Sequence, residues 1–227
     1  MILTRSKAVG MTLVTVVLLA AACGVAWWLV HSQETRQAAI FDPLNTTYLI
    51  DGSAVALVNG QAEQATAPDS ASKLVTRVFG VPVYGDLNGD GLLDSAMMVT
   101  RDGGGSGTFF YVVAAIRTFD GAHGTDAFLL GDRIAPQNIS IRGGQILVNY
   151  AVRNPGEPMT TQPSLGVSTY LSLVDDKLQE AAPVAGAGER CGGNMRNAPV
   201  CITGYKCAPD SGSHLPFGDV GGTCVAQ

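Results

Sequence analysis

Between residues 48 and about 174, short apolar runs alternate with turn residues, and no stretch repeats its apolar positions with the period of a helix. Tyr48-Leu49-Ile50 and Val55-Ala56-Leu57-Val58 flank Asp51-Gly52, which predicts a hairpin. Residues 74–84 predict a strand with a bend, or an edge strand, because Gly80 and Pro82 interrupt it. Residues 93–100 and 108–119 predict two more. The second contains Phe109-Phe110-Tyr111-Val112-Val113-Ala114-Ala115-Ile116, apolar on both faces, and so belongs at the centre of the fold. Residues 127–130, 139–141, 146–150 and 167–174 bring the total to about nine strands. Residues 153–163 hold Pro155, Pro158 and Pro163 and predict a loop. Roughly 130 residues suffice for one core.

Two regions fall outside this pattern. Residues 8–30 form an uncharged apolar run of 23 residues, about enough to cross a ~30 Å hydrocarbon layer as a helix. Arg5 and Lys7 precede it, Glu34 follows it, and Trp27-Trp28 sit near its outer end. That asymmetry places the N-terminus in the cytoplasm and exports the rest. Residues 1–31 are therefore expected to be a membrane anchor or signal sequence, and residues 32–44 a juxtamembrane linker. Ala20-Ala21-Ala22 offers cleavage and secretion as an alternative, and Leu19-Ala20-Ala21-Ala22-Cys23 offers a lipid anchor at Cys23. The apolar run continues for seven residues beyond Cys23, which favours an uncleaved single-pass anchor.

At the other end, Ala181-Ala182-Pro183-Val184-Ala185-Gly186-Ala187-Gly188 reads as a flexible linker. Residues 189–227 hold Cys191, Cys201, Cys207 and Cys224 with almost no apolar run. So small a module needs staples, and an exported chain can form them. Two disulfides are expected, in any of three connectivities. Zinc is the competing reading, but no C-x2-C pair is present. The expected fold is mainly β, with an N-terminal transmembrane helix, one antiparallel β domain over residues 45–180, and a small disulfide-rich C-terminal module.

Charge narrows the partners. With Arg5 and Lys7 set aside, 12 of the 14 basic residues remain against all 19 acidic ones, a balance of −7. That balance argues against nucleic acid and anionic lipid surfaces.

The candidate chemistry lies in Asp86-Leu87-Asn88-Gly89-Asp90-Gly91-Leu92-Leu93-Asp94. Ca²⁺ takes six to eight oxygens. Asp86, Asn88 and Asp90 can each supply one, the Leu92 carbonyl another, and Asp94 can bind directly or through water. The first six positions fit an EF-hand loop, but its twelfth position is Met97 where a bidentate Glu belongs, and both flanks read as strands. A plain turn built on Asn-Gly and Asp-Gly is the alternative. Catalytic patterns fail by comparison. Gly104-Gly105-Ser106-Gly107-Thr108 breaks G-x-S-x-G at its last position. His31, His123 and His214 lack partners at ligand spacing and read as solvated loop residues. Asp102 could add an outer carboxylate to the calcium loop if its hairpin folded back.

The D-x-N-x-D-G-x-x-D pattern resembles the single calcium loops of FG-GAP/VCBS-type β-repeats. A wider resemblance rests on Phe79-Gly80-Val81-Pro82-Val83-Tyr84-Gly85-Asp86, Gly104-Gly105-Ser106-Gly107-Thr108-Phe109-Phe110-Tyr111, Leu130-Gly131-Asp132-Arg133-Ile134 and Glu157-Pro158-Met159. Over most of residues 45–175 the chain resembles a family of uncharacterised bacterial envelope proteins. The resemblance implies compartment and fold, not an activity. Cys191-Gly192-Gly193 and Gly204-Tyr205-Lys206-Cys207 resemble fungal cellulose-binding domains, yet only Tyr205 and Phe217 are available for an aromatic row.

These readings lead to a membrane-anchored, exported calcium-binding envelope protein, a binding or structural module without catalysis, facing an envelope protein or glycan ligand. Two alternatives remain. One is inhibition of an exported hydrolase, a protease or lysozyme, through residues 210–217. The other is a metal-dependent hydrolase using Asp86, Asp90 or Asp94.

Overall fold

A computed structural model describes residues 41–66, 72–193, 198–210 and 220–227. These residues are mainly β and antiparallel. A 3₁₀ turn, Pro43–Asn45, opens with the Asp42 carboxylate accepting the Leu44 N–H at 2.9 Å. The strands are β1 (Thr47–Ile50), β2 (Ser53–Ala56), β3 (Gln61–Ala65), β4 (Lys73–Gly85), β5 (Asp94–Asp102), β6 (Phe109–Thr118), β7 (Gly121–Gly124), β8 (Phe128–Asp132), β9 (Ala135–Arg142), β10 (Gln145–Val152), β11 (Leu165–Val174) and β12 (Lys177–Glu180). The C-terminal part adds β13 (Val184–Ala185), β14 (Arg190–Gly192), β15 (Val200–Cys201), β16 (Tyr205–Pro209) and β17 (Gly221–Ala226). The expected transmembrane helix, the span 8–30 and Cys23 lie outside the described residues. Among those described, no helix is long and apolar enough to cross a membrane.

Two sheets carry the core. One runs β3-β4-β5-β6-β7, with β8 also paired to β6, and the other runs β12-β11-β10-β9. Ala96 and Met98 of β5 and Val112, Ala114 and Ile116 of β6 pack against Ile146, Val148, Leu171 and Leu178 of the second sheet. The alternate residues, Met97, Val99, Tyr111 and Val113, are equally buried on the opposite face. The β1–β2 hairpin is tied to that face by Arg101. Its guanidinium donates to the Ile50 carbonyl at 3.3 Å and to the Asp51 carboxylate at 2.8 Å, and Tyr111 OH donates to the same carboxylate. The central position expected for residues 108–119 is thus what the sheet order shows.

Turns set the register. Asp51-Gly52, Gly143-Gly144 and Asp175-Asp176 each place both residues at positive φ, the two-residue geometry that matches strand twist. Strand β4, expected to bend or to lie at an edge, sits inside the sheet and bulges. Its register passes from Phe79↔Met98 to Val83↔Ala96, so Gly80, Val81 and Pro82 together face Met97. The bulge takes Pro82, which has no N–H, out of the ladder.

Residues 47–174 hold β1 to β11, two more strands than expected. Strands β3 and β7 were unforeseen because Gln61-Ala62-Glu63-Gln64-Ala65 and Gly121-Ala122-His123-Gly124 lack β-branched residues and sit towards the edges. Thr125, between β7 and β8, is fully buried, and its hydroxyl accepts the Ala114 N–H at 3.1 Å where the ladder breaks.

Two tests follow from this packing. A methyl group on Gly85 would stand 2.5 Å from Ile141 Cγ2 of the facing sheet. Gly85→Ala should cost about 1–3 kcal/mol in urea unfolding, and clearly less in an Ile141→Ala background. Burial pushes the Tyr111 phenol up to about 12 from an ordinary 10.0, with the Asp51 bond and charge adding to it and Arg101 opposing. The folded state thus holds this proton more tightly. Its contribution is complete below pH 10 and disappears as pH rises through about 12. Tyr111→Phe should flatten the loss of melting temperature across that window.

Candidate functional site

Asp86 directly follows Gly85, the last residue of β4, and Asp94 opens β5, so the Asp-rich loop is the connection between two paired strands. It is wound round its own side chains. Asp86 accepts the N–H groups of Gly89 at 2.6 Å and Gly91 at 2.9 Å. Asn88 accepts the Asp90 N–H at 3.0 Å and donates its amide to Asp90 at 3.0 Å. Asp90 accepts the Leu92 N–H at 2.7 Å. Gly89 and Gly91 supply the positive φ values that this winding requires.

Asp94 differs from the other three. It is fully buried, and its two oxygens accept the N–H of Leu87 at 2.8 Å and of Arg117 at 2.9 Å. One carboxylate therefore joins the loop, β5 and the end of β6. Burial pushes its pKa up, the two N–H bonds oppose the shift, and the charges of Asp90 and Asp86 add to it.

The donor set suits a hard cation: each carboxylate oxygen already holding one N–H keeps a second lone pair. The carboxylates do not close into a cage, however. Among the described residues, the only trio of His, Cys, Asp or Glu ligand atoms lying within 4.8 Å of one another belongs to Cys191, Cys201 and Cys207. Those sulfurs are in disulfides. Asp102 stands at the far end of β5 from Asp94 and accepts the Gly104 N–H at 2.7 Å, so it adds nothing to the loop. His123, read as a solvated loop residue, lies in β7 and contacts the Asp176 carboxylate at 3.0 Å. Asp176 is brought there by the β11–β12 turn, which local sequence does not reveal.

Of the three open connectivities the structure holds Cys191–Cys207 and Cys201–Cys224. Cys207 and Cys224 face each other across β16 and β17, yet each bonds elsewhere. Buried Ala185, Cys191 and Cys224 form a small cluster, and Tyr205 packs on it half-buried instead of presenting a flat sugar platform. Phe217, His214 and most of the expected inhibitory loop lie outside the described residues.

Residues 181–188, expected as a linker, are stitched to the β domain. Ala181 N–H donates to the Tyr170 carbonyl at 2.9 Å, and β13 pairs in parallel with β15. Buried Gln145 does most of the joining: its amide donates to the Ala182 carbonyl at 2.9 Å and to Ser172, and its oxygen accepts the Val184 N–H at 2.9 Å. Nothing in the run Gln145-Ile146-Leu147-Val148 marks that role. Two openings border the junction. A cleft of about 460 Å³ is lined by Asn88 and Gly89 of the Asp-rich loop, by Gly144 and by Thr203. A cavity of about 330 Å³ lies between the outer face of the β9–β12 sheet and the segment from Val184 to Arg190.

Comparison of the chain with family models, with curated proteins and with solved structures found no match.

The loop geometry separates its carboxylates by role. Asp94→Ala strips two N–H groups of their acceptor and should cost about 2–5 kcal/mol with EDTA present. Asp90→Ala removes two exposed bonds, from the Leu92 N–H and the Asn88 amide, whose donors water can take over, and should cost about 1 kcal/mol or less in the same unfolding measurement.

Proposed function

We propose that this chain is an exported envelope protein that binds Ca²⁺ in its Asp-rich loop and serves as a binding or structural module without catalysis. The observation that carries the reading is the pair of disulfides in a module whose own cluster is only a few residues wide. Such staples form and persist in oxidising compartments. The basic start and apolar run at 8–30 support attachment to a bacterial cytoplasmic membrane with the β domain and module outside it. The resemblance of residues 45–175 to bacterial envelope proteins supports the same compartment.

The ion belongs to Asp86, Asn88, Asp90, the Leu92 carbonyl and Asp94. Asp94, anchored on two N–H groups, is the fixed point against which the exposed donors close. Neutralising three carboxylates within nine residues stabilises the loop. The same loop borders the cleft beside Thr203, so a closed loop gives that junction one shape. The role assigned to the ion is structural, and binding belongs to the surfaces around the junction.

Thermal unfolding of the full-length chain, with EDTA and with millimolar Ca²⁺, tests this. Ion at ~100 times its dissociation constant should add about 2.7 kcal/mol to the native state. The rise should vanish in Asp90→Ala. A chain that melts identically with and without calcium has a turn there and no site.

A further inference from the structure

We propose that the cavity between the outer face of the β9–β12 sheet and the disulfide module binds a carboxylate-bearing saccharide. The floor is the outward register rows of the sheet, Arg142↔Gln145↔Ser172 and Leu147↔Tyr170. The wall is the chain from Val184 to Arg190, held to the floor by Gln145. At about 330 Å³ the space falls at the lower end of small-molecule sites.

What the lining leaves unused identifies the ligand. Gln145 is committed at both its oxygen and its nitrogen. Arg190 is held by both oxygens of Asp210 at 2.9 and 2.7 Å. Glu189 gives one oxygen to the Gly186 N–H at 2.7 Å and keeps the other. Arg142 has no hydrogen bond or ion pair among the described residues, and the half-buried Tyr170 hydroxyl has none either. A guanidinium fork without a partner takes a carboxylate. The Tyr170 ring beside Leu147 offers an apolar platform for a pyranose face. The Tyr170 hydroxyl and the spare Glu189 oxygen suit sugar hydroxyls.

The floor also extends in the right chemistry. Beyond the Leu147 row, Ser168 donates to Asn149 at 2.6 Å and Asn149 donates to Asn138 at 2.8 Å, a polar ladder across three strands. It leaves further amide hydrogens for a second sugar unit. The negative balance of the chain favours a ligand with a single carboxylate over a polyanion.

This inference rests on the binding role proposed above. Ligand-observed NMR titration of the full-length chain with methyl β-D-glucuronide, methyl β-D-glucoside and acetate tests it. The glucuronide should bind roughly tenfold more tightly than the glucoside, and acetate should not compete. Arg142→Gln should erase the preference while keeping glucoside binding, and Tyr170→Ala should weaken both sugars. Equal affinity for the two sugars, an unchanged Arg142→Gln, acetate binding as well as the glucuronide, or no sugar signal overturns the site. A calcium melting shift without a sugar signal overturns the site alone. Sugar binding without that shift overturns only the calcium loop.

Discussion

Strands β5 and β6 have solvent on neither face, and the rest of the molecule answers that constraint. Two faces need two covers. One is the β9–β12 sheet, and the other face holds the β1–β2 hairpin through Arg101 and Asp51. A strand pair so enclosed must also satisfy polar groups where the ladder ends. Asp94 does so at one end of β5 and Arg101 near the other, both almost without exposure. Thr125 lends its hydroxyl where β7 gives way to β8. Full burial of one Val, Leu, Ile, Phe or Met side chain contributes about 1.5–3 kcal/mol. The polar residues at these positions give partners to the Ile50 carbonyl and to the N–H groups of Ala114 and Arg117 while many such side chains gather on both faces.

How much of this was legible depended on whether the signal was local. Periodicity and composition placed the apolar strands, because Phe110 to Ile116 can be satisfied only in an interior. Asp51-Gly52 announced its own turn. Asp175-Asp176 did not, since nothing apolar and alternating follows it, and β12 owes its position to pairing with β11. Pro82 signalled a disturbance correctly but not its form: an edge and an interior bulge look alike to a single strand, and only the neighbour across the ladder distinguishes them.

The candidate site divides in the same way. The spacing of the loop carboxylates was plain from sequence, whereas the inward turn of Asp94 depends on Arg117, 23 residues away. The four cysteines marked a stapled module but not which sulfurs meet. Gln145 carried no signal at all, yet it decides that the tail folds back along the sheet, so that segments read as separate domains share a junction. Openings arise at such a junction because two surfaces held together at a few hydrogen-bonded points do not fill the space between them.

The two disulfides interleave: Cys201 lies inside the loop closed by Cys191–Cys207, and Cys207 lies inside the loop closed by Cys201–Cys224. Wherever the backbone is cut once between these outer cysteines, at least one sulfur bridge spans the break. A protease that cuts once between Cys191 and Cys224 therefore clips the module without shedding any part of it, and a chain nicked there would run intact on a gel until a thiol is added. That is durability of covalent connection, independent of how stably the module is folded.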